Sequence, residues 1–259
     1  MSQTAEISQP QNLQGDALQT LCRAMATDLA MLVALHDREP ETALLQALRN
    51  TGFPDNLGLR LVGDSGRQAL ALMQQAVADL SASVAQATLN ELAADYAGIY
   101  LNFAFQASPL ESVWLDEENL TCQESMFQVR SWYQQYGLGA ENWRIRPDDH
   151  LVLQLQFLGR LFSTHPNSAG VRAAARFMDE HLLRWLMSFA QRVAARCDTA
   201  YFAALALLTG AYAEELRDLL ADLLAQPRPS AAEIDERMKP RQAQAAVPLR
   251  YMPGMGPAV

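Results

Sequence analysis

The sequence predicts an all-α protein built as a single-domain helical bundle, and three observations carry that expectation. Nearly every segment spaces its apolar residues at i, i+3, i+4 and i+7, the helical period. No run of alternating apolar and polar residues stands between turn signals, as a half-buried strand would. Half of the 259 residues are apolar, enough for a full core, and no repeat of fixed period divides the chain.

The elements follow in order. Between Asp16 and His36 the apolar positions Leu18, Leu21, Cys22, Met25, Leu29, Leu32 and Val33 form one stripe. A short helix from Thr42 to Asn50 stops at Thr51–Gly52, a left-handed C-terminal signal. Asp64 or Ser65 caps a helix to about Val84. Another, from about Thr88 to Phe103, carries Leu92, Tyr96, Ile99, Tyr100 and Phe103 on one face. Thr121 and Glu124 have the spacing of a capping box and open a helix to Gly137. Pro147 opens a strongly apolar helix to Phe162, and Pro166 a long one to Arg196, with a break near Gly170. Asp198 or Thr199 caps the last large helix, which runs to Gln226. Residues 1–15 read as a flexible N-terminus, 16–226 as the helical domain and 227–259 as a flexible tail, with one helical turn at Ser230–Glu236. Two long loops remain, Gln106–Leu120 and Leu138–Arg146, and long loops in such domains tend to be functional.

A formal net charge of −9 argues against wrapping a phosphate backbone, whose affinity depends on many Lys and Arg contacts. An acidic surface suits a cationic peptide instead. Cys22, Cys122 and Cys197 are odd in number and far apart, with no CxxC, so they read as buried, reduced thiols of a reducing compartment. The first sixteen residues contain no Lys or Arg and no apolar stretch, unlike a signal or transit peptide. No run of about eighteen apolar residues is unbroken, so stable membrane insertion is not expected. The expected location is cytoplasmic.

Enzyme signatures are missing. There is no GxxxxGK[ST], no GxGxxG after a strand, no HExxH and no GxSxG. His36, His150, His165 and His181 never pair at i, i+4, so no metal site is expected. Asp149 and His150 are adjacent, and adjacent helical residues diverge by about 100°, which does not make a dyad. No cofactor is expected.

Two segments stand out. One is the loop Ser108-Pro109-Leu110-Glu111-Ser112-Val113-Trp114-Leu115-Asp116; the other is Arg146-Pro147-Asp148-Asp149-His150-Leu151, continuing through Gln154, Leu155 and Phe157. Each residue has a structural as well as a functional meaning. Asp148 at a helix start is an N-cap or a carboxylate for a ligand, and Asp149 complements the helix dipole or does the same work. His150 is a core histidine, or a group that makes binding sensitive to pH near neutrality. Trp114 anchors its loop or lines a groove. Asp116, Glu117 and Glu118 are a solvated acidic run or a second set of carboxylates.

A weaker pattern follows: Phe177, His181, Leu182, Trp185 and Phe189, then Asp198-Thr199-Ala200-Tyr201-Phe202 with Ala204 and Leu205. His181 and Trp185 read as structural. In this order and separation the three patterns resemble the TorD/DmsD family of redox-enzyme maturation chaperones, from about Ala17 to Leu224. The chain departs from the family at Leu110, where an aromatic is frequent, at Val152, where a small residue is usual, and at Gln154, where Glu is common. The resemblance implies a non-enzymatic chaperone that binds the twin-arginine leader of a molybdenum-cofactor oxidoreductase subunit and supports cofactor loading before export. It implies a peptide-binding site of Trp114, Asp149 and His150 with Pro109, Ser112, Pro147, Asp148 and Gln154, and a monomer or domain-swapped dimer.

The chemistry of such a leader fits these segments. Two guanidinium groups ask for carboxylates, and the apolar stretch behind them asks for an aromatic-lined groove, for which Phe103, Trp114, Leu115 and Phe157 are candidates. Two alternatives stand beside this: an assembly chaperone of the neighbouring NarJ branch, serving a subunit that is not exported, and a small hydrolase using His150. The tail adds a separate expectation. Arg237, Lys239 and Arg241, in a stretch with no acidic residue to Val259, imitate a leader and occupy the groove.

Overall fold

The computed structural model describes residues 10–80 and 84–239. Among them eleven α-helices follow one another: α1 (Pro10–Asp37), α2 (Thr42–Thr51), α3 (Asp64–Asp79), α4 (Gln86–Tyr96), α5 (Glu111–Leu115), α6 (Glu124–Gln135), α7 (Leu151–Thr164), α8 (Ser168–Glu180), α9 (Leu186–Arg196), α10 (Ala200–Leu224) and α11 (Ala231–Met238). A π-helical turn, Ala97–Leu101, prolongs α4, and a 3-10 turn, Leu182–Arg184, joins α8 to α9. No strand occurs among the described residues. The fold is all-α, as the periodicity predicts.

The 28-residue α1 lies along α7, and α10 packs against α3, α8 and α9. The stripe read from the sequence is the buried face of α1, with Cys22, Met25, Leu29 and Leu32 inside and Leu35 extending it. One continuous apolar cluster runs from Cys22 to Leu220 and includes the fully buried Trp185, Tyr212, Phe162, Phe177 and Phe189. Each such side chain contributes about 1.5–3 kcal/mol of burial. Gly15–Asp37 is long and apolar enough by length and composition to cross a bilayer, with a mean hydropathy of 1.3, although Asp16, Arg23 and Asp28 interrupt its apolar residues. Here it is a core helix. Its buried Asp28 accepts the amides of Gly58 and Leu59 at 2.8 and 2.9 Å and the Tyr212 hydroxyl at 3.1 Å.

Several boundaries differ from the sequence reading for local reasons. Helix α1 starts at Pro10 rather than Asp16, using proline at a first-turn position where its missing N–H costs nothing. Helix α3 stops at Asp79, short of Val84. The helix expected to reach Phe103 ends in its π turn, and Phe103 itself has φ 55°. The expected capping box at Thr121 does not form: Gln123 is the N-cap of α6 and Cys122 before it has φ 59°. The 166–196 segment breaks between α8 and α9 rather than at Gly170. That glycine lies in the first turn of α8, where a Cβ would fall 2.0 Å from the His165 carbonyl oxygen. Only Cys22 of the three free cysteines is buried; Cys122 and Cys197 are half-buried. Burial, helped by Asp95, pushes the Cys197 thiol up to about 12. The expected turn at Ser230–Glu236 is α11, with Ser230 and Glu233 in a reciprocal capping box. Residues 240–259 lie outside the described residues, Arg241 and Arg250 among them.

Helix α10 is capped from a distance. Thr199 is the N-cap residue, but Asp95 of α4 supplies the acceptor, taking the Asp198 and Thr199 amides at 3.0 and 2.7 Å and the Thr199 hydroxyl at 2.5 Å. This buried carboxylate ties α4 to the start of α10. Asp95→Ala leaves two amides and a hydroxyl without it, so unfolding stability should drop by about 2–3 kcal/mol, read as a lower urea midpoint with an unchanged m-value.

Candidate functional site

The two motif segments meet in space. The backbone of Glu111 donates to the Asp149 carbonyl at 3.2 Å and that of Leu151 to the Pro109 carbonyl at 2.8 Å. These bonds form an isolated antiparallel bridge between Leu110 and His150. Inside the first loop, Glu111–Leu115 closes into the short helix α5.

Asp149 locks the junction. It is fully buried, and its Oδ2 accepts the Ser112 amide at 2.8 Å, so it satisfies the start of α5 across the bridge. Burial pushes its carboxyl above the usual range, against the hydrogen bonding from Ser112, and the neighbouring Glu111 adds to the rise. Its Oδ1 has no hydrogen-bond partner. Asp149 is therefore committed to the bridge and to the start of α5.

Glu111 extends the lock into the core. One carboxylate oxygen is hydrogen-bonded to His181 Nδ1 at 2.9 Å, and the other accepts Gln154 Nε2 at 2.6 Å, all three side chains being buried. Gln154 Nε2 also reaches the Asp149 carbonyl at 3.2 Å. The structural role read for His181 is thus tied to the first motif. A glutamine at 154 is what this site requires, because glutamate there would set a second carboxylate against Glu111.

Asp148 turns the other way. Arg130 of α6 places Nε and Nη2 at 3.1 and 2.8 Å from its Oδ2, and the Tyr133 hydroxyl donates to its carbonyl at 2.9 Å. It is neither a free carboxylate nor the N-cap of α7. That role falls to His150, whose Nδ1 accepts the Val152 amide at 3.1 Å, so α7 starts at Leu151 instead of Pro147. Pro147 is half-buried and its carbonyl accepts the His150 amide at 3.1 Å, closing the turn before the helix. An Nδ1 that accepts a hydrogen bond carries no proton. Burial, then the charge of Arg146 and the nearness of His36, pushes His150 down to about 3. The expected sensitivity of His150 near neutrality is overturned.

Trp114 is half-buried. Its indole N–H donates to the Ser108 carbonyl at 2.8 Å and its ring lies under the Arg192 guanidinium, so it anchors its own loop. Asp116 folds the following turn by accepting the amides of Glu118 and Leu120 at 3.0 and 2.9 Å, while Glu117 and Glu118 are exposed. The four aromatic and apolar candidates do not line one groove. Phe157 lines a trough of about 340 Å³ with Tyr133, Leu138 and Leu153, between α6, α7 and the loop after α6. Leu115 faces a different cavity beside α11, and Phe103 is exposed.

The sequence reading missed Arg130 and its surroundings. The guanidinium stacks on Trp143 at 4.7 Å and Phe127 at 5.5 Å, both rings well exposed, with Ile145 beside them in sequence exposed as well. Tyr133 connects this corner to the trough, since its hydroxyl holds Asp148 and its ring lines the trough wall. The three-residue spacing of Arg130 and Tyr133 on one helix was the available signal, without any means of knowing what it faced. Lys239 pairs with Glu236, and Arg237 lines a separate cavity with Arg172 and Arg217. Arg241, the third residue of the leader-like tail, lies outside the described residues.

Fold and site together define an all-helical protein whose motif residues knit two loops into one buried cluster, with the Arg130–Asp148 pair beside it and the guanidinium flanked by two aromatic rings. Comparison with known proteins supplies the family. A family model described as nitrate reductase delta subunit matches residues 66–191. A protein named chaperone protein TorD from Shewanella oneidensis is 32% identical over 158 residues, covering 58% of this chain and 69% of that protein. One of the same name from Vibrio vulnificus is 34% identical over 113 residues, 40% of this chain and 52% of the relative, so the match spans about half of that protein. A third, from Vibrio cholerae, is 30% identical over 142 residues, 52% and 64%. The chain belongs to the TorD family of chaperones, which is not a family of enzymes.

Two outcomes follow from the buried cluster. Gln154→Glu should be close to wild type in stability near pH 4, where the new carboxyl pair shares a proton. Its raised pKa means stability is lost as pH rises above about 4.3, reaching roughly 1–3 kcal/mol by pH 7 in urea titrations. The histidines act in the opposite sense. His36 is also held down to about 3 by burial, so between about pH 6.5 and 3 the unfolded chain binds protons that the folded chain refuses, and stability falls as pH drops. His150→Asn keeps an N-cap acceptor and should reduce that slope by up to ~1.4 kcal/mol per pH unit.

Proposed function

We propose that this chain is a cytoplasmic chaperone that binds the twin-arginine leader of a molybdenum-cofactor oxidoreductase subunit and keeps the subunit available until its cofactor is loaded. It performs no chemistry of its own. The observation that carries this is the Asp148 corner: a buried carboxylate that already holds the Arg130 guanidinium, itself flanked by two exposed aromatic rings, and that is linked through Tyr133 to an apolar trough. Those are the two halves of a twin-arginine leader, a planar cation followed by an apolar stretch.

In this arrangement Arg130 stands where a leader arginine binds. An incoming guanidinium takes Asp148 Oδ2, and Arg130 stays on its aromatic shelf, where the rings hold a cation independently of the carboxylate. The buried pair is thereby exchanged and never left open, which matters because removing one partner of a buried ion pair costs about 3–5 kcal/mol. The apolar part of the leader follows Tyr133 into the trough of Leu138, Leu153 and Phe157. Asp149, Ser112, Gln154 and Pro109 keep Asp148 in place; His150 fixes the first turn of α7, Pro147 the turn before it, and Trp114 the loop behind.

One observation favours the second reading, an assembly chaperone for a subunit that is not exported: the family model that matches is described by a nitrate reductase subunit. Calorimetric titration with a twin-arginine leader peptide separates the two. Binding at micromolar or better Kd, weakened about tenfold or more in Asp148→Asn and abolished by changing both leader arginines to lysine, is the expected outcome. A lysine-substituted leader that binds equally well favours the non-exported client, and a leader that does not bind at all overturns the proposal.

A further inference from the structure

Between α8, the end of α10 and α11 lies a cavity of about 270 Å³ that shares no wall residue with the trough of Phe157. Its wall carries five arginines, Arg172, Arg176, Arg217, Arg228 and Arg237, against two carboxylates, Asp179 and Glu233. This is a local excess of positive charge on a chain whose formal net charge is −9. The sequence assembles it simply. Residues 172, 176 and 179 recur on one face of α8, and the turn through Pro227 and Pro229 returns α11 to pack against that helix.

Both carboxylates in the wall are already committed. Asp179 takes Arg217 Nε and Nη2 at 2.8 Å each, a buried bidentate pair. Glu233 is turned to the Ser230 amide and hydroxyl at 2.7 and 2.8 Å. Outside the wall, Glu180 pairs with Arg176, and Glu214 and Asp218 pair with Arg228. Arg172 meets the neutral Gln226 side chain at 3.1 Å. No ion pair among the described residues includes Arg172 or Arg237.

The decisive group lies inside. Asp179 occupies one edge of the Arg217 guanidinium, and Nη1, at the opposite corner of the plane, is buried with no hydrogen-bond partner among the described residues. A buried N–H without an acceptor is costly, and the side chain that carries it is part of the cavity wall.

We propose that this cavity binds a phosphate group, as the free ion or on a small organic ester. Guanidinium N–H groups match phosphate oxygens in charge and geometry. Here they come from three elements: buried Arg217 of α10 at the floor, and exposed Arg172 of α8 and Arg237 of α11 at the rim. A planar carboxylate presents two acceptors in one plane. A tetrahedral phosphate presents oxygens on several sides, as donors on three elements require. It gives Nη1 its acceptor and gives Arg172 and Arg237 a counter-charge, while Arg228 stays fastened to α10 and holds the linker. The site needs neither a leader nor Asp148, so it stands or falls apart from the proposed function.

The test is titration calorimetry of the full-length chain at low ionic strength, with inorganic phosphate and with glycerol phosphate. One saturable site of submillimolar Kd is expected for at least one of them, and the tighter of the two identifies the source as free ion or ester. Arg172→Gln combined with Arg237→Gln should weaken that binding at least tenfold. Both side chains are exposed, so the thermal transition of the unliganded chain should not change. Gln226→Glu removes no arginine but gives Arg172 a carboxylate of its own, and should weaken binding in the same sense. In nitrogen NMR spectra of the arginine side chains, saturating phosphate should shift the Arg217 guanidinium. The absence of saturable binding to both compounds would overturn the proposal. So would acetate binding as tightly as phosphate, unchanged affinity in the double variant, or an Arg217 signal that does not move.

Discussion

The bridge between Leu110 and His150 is the constraint on which this molecule's functional corner depends. Two loop segments about forty residues apart are joined by two backbone hydrogen bonds, an arrangement that is marginal alone. Asp149 makes it firm by using one carboxylate oxygen as the missing first-turn partner of α5, and Glu111 fastens the same turn to α7 and to His181. Each group has its partner only when all three segments are present. Such networks are cooperative, and they are costly when incomplete. Loss of any member returns a buried carboxylate or amide to an apolar interior.

That lock explains the division of labour between neighbouring aspartates. Asp149 faces inward because its carbonyl and carboxylate are both committed to the bridge and to α5. Asp148, one residue earlier, is turned toward α6, and its charge is met by Arg130. The two aspartates are the central residues of the turn that the Pro147 carbonyl closes with the His150 amide, and their side chains meet different neighbours. Two identical residues, both buried, therefore acquire different partners, one the Ser112 amide and the other the Arg130 guanidinium. His150 completes the turn as a neutral N-cap, which burial and the nearby Arg146 keep from being protonated.

Helix-end chemistry recurs elsewhere as a means of joining distant parts. Asp95 caps α10 from α4, and Glu215 of α10 in turn accepts the amides of Val62 and Gly63 just before α3. In both places a carboxylate from another helix holds the two residues that lead into the helix, so the helix entry is fixed by tertiary packing. At α11 the cap is local, from Ser230 and Glu233.

Hydrophobic period alone determined that this chain is all-helical and where its main core stripes lie, because burial of one face every 3.6 residues is written in the order of Leu, Met and Phe. The order and spacing of the Ser108–Asp116 and Arg146–Leu151 motifs also placed it in its family. Polar partners were not legible. That Asp149 held the start of α5, that His150 rather than Asp148 capped α7, and that Arg130 stood against Asp148 were settled by which segments fold back on one another. The physical reason is that apolar burial is non-directional and tolerates approximate position, so sequence pattern suffices for it. A hydrogen bond or ion pair needs a specific atom within about 3 Å, and only the tertiary structure supplies that atom.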